Sequence, residues 1–351
     1  MNFTIECRPI GTPNPAYIVA ELSANHRHSL DRAIELVHAA KEAGADAVKL
    51  QTYTPETMTI ESDRPEFRVR GGTLWDGQTL FDLYREAHTP WEWHAPLMTE
   101  ARSLGMACFS TPFDATAVDF LESLAVPAYK IASFEIVDLE LLDRVAATRK
   151  PVLLSTGMAT RQEIAEALGA LRREHDPPIA LLKCTSAYPA PEEDANLRTI
   201  ADMAASFHVV AGLSDHTLGL AVPVAAVSLG ASIIEKHLTL SREAGGPDAA
   251  FSLEPAEFRE MVDAVRTAES ALGRVVYGPT ASDAKSLAFR RSLFVVKDMR
   301  AGERFSRDNV RAIRPGHGLP PRHLKGVLGM EAAIELSRGT PLDWSHLRPP
   351  R

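Results

Sequence analysis

Two histidines, His216 and His237, lie near the ends of "GLSDHTLGLAVPVAAVSLGASIIEKHLTL" (212–240), with no charged side chain from Leu218 to Ile234. Such imidazoles either satisfy hydrogen bonds in a core or ligate a divalent ion, and two of them with added oxygen donors suit a metal that keeps open positions. Other chemistry-bearing residues recur at the polar ends of short apolar runs: Glu21; Lys49 and Gln51; Ser110 and Thr111; Lys130, Ser133 and Glu135; Ser155 and Thr156; Lys183 and Thr185; Ser214 and Asp215; Glu235. Lysines beside small hydroxyls suit phosphate and carboxylate, because an ammonium neutralises charge while Ser and Thr donate directional hydrogen bonds. Lys183 suggests a second chemistry, Schiff-base attack on a carbonyl as in an aldolase, since neighbouring lysines would lower its pKa. That reading has no use for a histidine-bound metal.

These residues act together only if the fold gathers them. The runs are "YIVAEL" (17–22), "DAVKLQT" (46–52), "MACFST" (106–111), "AYKIAS" (128–133), "PVLLST" (151–156), "IALLKCT" (179–185), "HVVAGLS" (208–214) and "ASIIEKHL" (231–238). Each precedes a segment of helical period, the alternation of a parallel sheet with helices outside it. Eight such units ending near residue 272 match a closed (β/α)8 TIM barrel, and no GxGxxG follows the first run to suggest a dinucleotide fold. In a barrel the C-terminal strand ends converge on one mouth, so polar residues there become neighbours. Strand alternation puts Lys49 on one face with Gln51, Glu235 with His237, and Lys183 with Thr185, and leaves Lys236 as an outward lysine. Buried lysine and glutamate are costly unless paired or facing a ligand, so either a structural ion-pair set or a functional mouth accounts for them.

Local signals support this layout. "SLDRAIELVHAAKEAG" reads as a helix capped by Ser29 and stopped by Gly44. The stretch 212–240 reads as a helix from about Thr217 to Leu229 and a strand from Ala231, a crossover that would set His216 beside His237. Between runs two and three, "TMTIESDRPEFRVRGGTLWDGQTLFDLYREAHTP" exceeds the short-loop norm, and its 62–89 portion is either a lid or an inert excursion. Residues 1–272 thus form the barrel domain, 273–290 a polar linker, and 291–351 a small α+β domain with strands in "SLFVVKDM" and "AIELSRG" and turns at "RAGE" and "RPGHG".

Composition bounds the partners. At 351 residues and 45% hydrophobic content the chain can build a large core, and its formal charge of −8 argues against nucleic-acid or anionic-membrane binding. Any phosphate site is therefore local. Cys7, Cys108 and Cys184 show no CxxC spacing, and "MNFTIECRPIGTPNP" lacks signal-peptide blocks, which fits a cytoplasmic protein. Pro223, Ser228 and glycines interrupt the apolar run, so it reads as buried rather than membrane-spanning.

The stretches "IVAELSANH", "AVKLQTYTPETMT", "FSTPFD", "YKIASFEI", "LLSTGM", "LLKCTSAYPAPEED", "GLSDHTLG", "EKHLTL" and "GGPDAAFSLEP" resemble, in order, the sialic acid synthase family, enzymes that condense phosphoenolpyruvate with a sugar to make nonulosonic acids. The tail "SLFVVKDMRAGERFSRDNVRAIRPGHG" is similar to the family's antifreeze-like (SAF, β-clip) domain. "KIASFEIVD" and "GGTLWDGQTLFDLYREAHTPWEW" look like the pseudaminic acid branch; the neuraminate branch usually reads a KIGSGE-like segment and carries Asn where Ser186 stands here. The resemblance implies phosphoenolpyruvate held by Lys49, Thr111, Lys130, Ser133, Ser155, Ser214 and, more weakly, Ser186. It implies a divalent metal, Mn(II), Mg(II) or Co(II), on His216 and His237, and Glu21 beside the metal with Lys49 and Lys130 as the catalytic set. Gln51, Glu135, Tyr188 and Asp248 would face the sugar, expected to be 2,4-diacetamido-2,4,6-trideoxy-L-altropyranose, or N-acetylmannosamine or a related sugar in the sister branches. Arg314 would come from the partner of a domain-swapped homodimer. A sugar-binding protein without turnover, built on the tail alone, is the reading from another functional class.

Overall fold

The computed structural model describes residues 2–350. Among them eight parallel strands close into a barrel: β1 (Tyr17–Glu21), β2 (Ala47–Thr52), β3 (Ala107–Pro112), β4 (Tyr129–Ile131), β5 (Val152–Ser155), β6 (Ile179–Cys184), β7 (Val210–Asp215) and β8 (Ile233–His237), with β8 hydrogen-bonded back to β1. Each expected run contains one strand, and the TIM-barrel architecture stands.

Strand alternation builds two separate cores. Tyr17, Val19, Ala47, Phe109, Leu153, Leu182, Val210 and Ile233 point inward and pack together. Their outward neighbours, such as Ile18, Val48, Leu154, Leu181 and Ile234, meet the surrounding helices. An N-terminal hairpin, Phe3–Ile5 paired with Arg8–Ile10, buries Ile5 and Ile10 in the inner cluster and closes the barrel floor. Fully burying a side chain of this size is worth about 1.5–3 kcal/mol. Packing therefore fills the lower barrel and leaves the strand tips to polar groups.

Helix boundaries follow their local chemistry. The first barrel helix, Leu30–Glu42, starts where Ser29 Oγ accepts from the Arg32 amide at 3.3 Å, and Gly44 ends the turn at φ +91°. Beside β7 the helix spans only Ala221–Ser228, four residues later than expected at its start. The Asp215 carboxylate takes the Thr217 amide at 3.0 Å and holds that segment in a turn, which Gly219 at φ +79° continues. β8 begins at Ile233, two residues after the expected start. The long insert after β2 carries short helices, Pro55–Met58 and Leu80–Ala87, rather than unstructured chain.

The chain divides into two compact units after Gly273. In the second, Ser292–Val295 pairs antiparallel with Val310–Ile313, and Leu293, Val295, Met299, Phe305, Val310 and Leu342 form its core. The 3-10 turn Ala284–Phe289 is tied into this unit by the Gly316 amide donating to Ala288 O at 3.0 Å. The strand expected in "AIELSRG" is not formed. The pairing strand is Glu331–Ala332; beyond it the Ala333 amide donates to His346 O and Leu336 pairs with Met299, before Gly339 turns the chain at φ +91°. Ile334 and Glu335 point to solvent, so alternation has no second residue to bury there.

Candidate active site

Register determines which polar tips meet. Glu21 lies level with both His237 and Lys49, and Glu235 level with Ser214. All five point into the barrel and line one cavity of about 540 Å³ with Lys130, Ser155 and Glu135. That volume lies in the usual range for small-molecule sites.

An ion cluster forms the cavity floor. Lys49 Nζ donates to Glu235 Oε1 at 2.9 Å and sits 2.5 Å from Glu21 Oε2 as an ion pair outside hydrogen-bond alignment. Lys130 Nζ donates to Ser155 Oγ at 2.6 Å and to Ile131 O at 3.0 Å, and lies 3.7 Å from the same Glu235 oxygen. Ser214 Oγ also donates to it, at 2.9 Å. Burial would raise the Glu235 carboxyl, but Lys130 and Lys49 outweigh it and hold the pKa well below the ordinary value. Burial pushes Lys49 down to about 8, with Glu235 opposing. Lys49 and Lys130 share Glu235 Oε1 and Lys49 also pairs with Glu21, so two ammoniums are balanced by two carboxylates while both lysines line the cavity where an anion could accept from them.

Hydroxyls surround that floor. Ser133 Oγ accepts from the Gly157 amide at 3.1 Å, while Thr111 Oγ1 and Ser186 Oγ are buried with no partner among the described residues. Buried polar atoms without partners cost stability, and a bound oxyanion would satisfy them. Gly157 is required for this arrangement, because a Cβ there would collide with Ser186 Oγ and come within 2.7 Å of Ser133 Oγ.

The crossover brings the two histidine rings to a centroid distance of 5.3 Å. His216 Nδ1 donates to Thr185 O at 3.0 Å, and His237 Nδ1 is buried without a partner among the described residues. Burial, reinforced by His216, keeps His237 far below its ordinary pKa and therefore neutral. Burial would lower His216, but Cys184 and the Thr185 carbonyl outweigh it and raise its pKa above the ordinary value. One imidazole oriented by a carbonyl and one neutral ring with an orphaned nitrogen fit the donor set of a divalent ion completed by water or substrate oxygens. Among the described residues no group of three or more His, Cys, Asp and Glu is placed to hold a metal ion, so an ion here would have only these two imidazoles from the protein.

The upper cavity is partly carboxylate and largely aromatic. Burial raises Glu135 to about 7, and its Oε2 has no partner. Asp248, also raised by burial, accepts from Ser23 Oγ, while the Ser23 amide donates to Glu21 Oε1 at 2.7 Å. Gln51 lines the cavity, and Tyr188 packs 4.4 Å from the His216 ring. Trp75 of the insert packs at a tilt against Tyr188, with ring centroids 5.7 Å apart, and donates from Nε1 to Pro247 O at 2.9 Å. Arg314 belongs to the second unit, just after Val310–Ile313.

Several tip residues face away from the mouth. Lys183 has the parity of Leu181, points into the helix layer and donates to Cys184 O at 2.9 Å, so it cannot serve as a mouth nucleophile. Cys184, two residues after inward Leu182, takes the mouth position with Sγ 3.8 Å from His216 Nδ1. Ser110 and Thr52 form an outer network with His94, at 2.6 and 2.8 Å. Lys236 does point outward, but it is fully buried there and 2.5 Å from Asp215 Oδ2, not in solvent. Cys184, Gly157, Ser23 and the insert helix are site components that charge-based sequence reasoning passed over. Strict alternation from Ala180 was the signal for Cys184.

The comparisons agree with this geometry. Residues 36–277 match the NeuB family and 290–348 match the SAF domain. A pseudaminic acid synthase of Helicobacter pylori is 48% identical over 330 residues, 93% of this chain and 96% of that one. One from Campylobacter jejuni is 44% identical over 337 residues, 96% and 98% of the two chains. The crystal structure of an N-acetylneuraminic acid synthetase from Leptospira borgpetersenii in complex with citrate superposes with a TM-score of 0.73 at 31% identity, covering 82% of this chain and 95% of that one. The match over most of the barrel and the identity to these relatives over nearly the whole chain show that the chain belongs to the NeuB family.

Proposed function

We propose that the chain is a pseudaminic acid synthase, condensing phosphoenolpyruvate with 2,4-diacetamido-2,4,6-trideoxy-L-altropyranose and water to give pseudaminic acid and phosphate. The observation that carries it is the pair of lysines on Glu235 Oε1, with the hydroxyls of Ser133, Ser155 and Ser214 and the rings of His216 and His237 in one cavity. The similarity to pseudaminic acid synthases over nearly the whole chain supports the choice of sugar.

On this reading Lys49, Lys130, Ser133, Ser155, Ser214, Thr111 and Ser186 bind the phosphate and carboxylate, orienting C3 of the enol toward the open-chain aldehyde. His216 and His237 would hold Mn(II), Mg(II) or Co(II), which when bound supplies Lewis-acid polarisation of that aldehyde. Formation of the C3–C1 bond leaves a cation at C2. Glu21, beside Lys49, faces that centre, takes the proton of the water that adds there, and so permits the C2–O bond to phosphate to break. Gln51, Glu135, Tyr188 and Asp248 contact the sugar, and Arg314 reaches the mouth from the partner of a domain-swapped homodimer. The reaction belongs in the cytoplasm; among the described residues no helix is long and apolar enough to cross a membrane.

Phosphate release, measured with phosphoenolpyruvate, Mn(II) and a panel of amino sugars, tests the proposal. Turnover should require the diacetamido trideoxy sugar. Preference for N-acetylmannosamine would assign the chain to the neuraminate reaction, and no release with any sugar would favour a binding protein.

A further inference from the structure

The insert between β2 and β3 has a patterned inner face. Its helix Leu80–Ala87 turns Leu80, Leu83, Tyr84 and Ala87 toward the cavity, which is the i, i+3, i+4, i+7 stripe of one helical face. Asp82, Arg85 and Glu86 occupy the opposite face and are exposed. Met58 and Phe113 extend the same wall, and Tyr53 links it together, its ring 5.7 Å from Tyr84 and 5.1 Å from Phe113. An amphipathic helix ordinarily turns its apolar stripe to the protein core. Here the stripe lines the same cavity as the charged groups Lys49, Lys130 and Glu235.

We propose that this wall is the specificity subsite for the apolar groups of the sugar, the acetamido methyl at C4 and the C6 methyl, and that it rejects sugars carrying hydroxyls there. The inference rests on the synthase reading and assigns it a residue-level cause. A trianionic phosphoenolpyruvate belongs with the Lys49 and Lys130 ammoniums and the small hydroxyls beside them, so the remaining volume and the wall fall to the sugar. Methyl groups placed against Leu80, Leu83 and Met58 lose unfavourable contact with water, whereas a hydroxyl there would be desolvated without a partner. Tyr84 and Tyr53 line the same space with their rings edge-to-face, an apolar surface that suits an N-acyl methyl.

Two measurements test it. With the unaltered protein, an N-formyl group replacing N-acetyl at C4 removes only the methyl, and kcat/KM should fall by roughly 10-fold or more, within the range for a lost methylene-sized contact. Leu80→Ser and Leu83→Ser should lower kcat/KM for the diacetamido sugar by about 10- to 100-fold, leave KM for phosphoenolpyruvate unchanged, and shrink the N-acetyl to N-formyl discrimination. Leu83→Met should retain that discrimination. Equal rates for the two acyl analogues with the unaltered protein, or discrimination unchanged in correctly folded serine variants, would overturn the subsite. If the serine variants melt early, the N-formyl comparison decides alone. Absence of turnover with either acyl analogue by the unaltered protein would instead refute the synthase reading itself.

Discussion

Lys49 Nζ and Glu235 Oε1 lie 2.9 Å apart beneath the barrel mouth, and both side chains are almost fully buried. Burial pushes Lys49 down to about 8, against the upward pull of Glu235. Since its charge would hold the anionic substrate, kcat/KM for phosphoenolpyruvate, which reports the free enzyme, should fall as pH rises through about 8. Stability runs the other way. A lysine at about 8 folded and 10.5 unfolded binds fewer protons in the native state across that window, so folding becomes more favourable from about 8 toward 10.5 and the activity loss is not unfolding. Glu235→Gln should move the alkaline limb to lower pH, because the group that raises Lys49 has gone. A pH profile of phosphate release, with melting curves at the same pH values, reads both effects. An unmoved limb would remove Lys49 from substrate binding.

The two histidines make a second, separable prediction. His237 is neutral, buried, and has an orphaned Nδ1, so removing its ring sacrifices no protein hydrogen bond at that atom. His237→Ala should therefore abolish phosphate release while shifting the melting temperature little. Mn(II) titration followed by electron paramagnetic resonance should show one site in the unaltered protein and a large loss of affinity in the variant. Full activity after thorough chelation would end the metal assignment.

Arg314 tests the assembly. Arg314→Ala should be inactive alone. Mixed with the barrel-dead His237→Ala chain, it should regain roughly a quarter of full activity, since half of the random dimers then hold one intact swapped site. No recovery would place the arginine in its own subunit's mouth or outside it.

Much of the barrel was legible because period-2 burial leaves an unambiguous imprint: each apolar run holds a strand, and Ser29 and Gly44 bracket a helix where capping chemistry puts them. The mouth was legible only in part. Lys183 and Cys184 are adjacent, and charge drew attention to the lysine although register turns the thiol inward. Lys236 read only as an outward lysine, because sequence cannot show that Asp215, twenty-one residues earlier, pairs with it in a buried layer. Gly157 carries no side chain, so only the approach of Ser133 and Ser186 reveals why nothing larger fits. The inner stripe of the insert helix was likewise unreadable, since periodicity gives a face but not what the face meets.

Lys236 and Asp215 give a stability prediction. The ammonium is fully buried, 2.5 Å from the carboxylate, and also donates to Thr217 O, which braces the turn that carries His216. Removing one partner leaves an uncompensated buried charge, which costs about 3–5 kcal/mol. Lys236→Ala should show that loss in denaturant unfolding, and the double variant with Asp215→Ala should lose less than the sum of the two single variants. Additive losses would mean that the two groups do not act as a pair.

The last prediction separates the anion cradle from the fold. At Gly157 an added methyl would press on Ser133 and Ser186, side chains whose hydroxyls face the position proposed for phosphoenolpyruvate. The backbone there lies outside the left-handed region, so alanine carries no conformational penalty of its own. Its effect should fall on the hydroxyls it displaces, including Ser133, which accepts from the Gly157 amide itself. Gly157→Ala should then raise KM for phosphoenolpyruvate by roughly 10-fold or more, consistent with the loss of one or two hydrogen bonds to a charged group, and leave KM for the sugar nearly unchanged. Further replacement of Ser186 by Gly opens the space again and should recover part of the lost affinity, an outcome that general damage to the barrel would not produce. Steady-state kinetics with each substrate varied in turn measures both. A rise confined to the sugar KM would move the cradle to the other substrate and refute the assignment of Ser133 and Ser186.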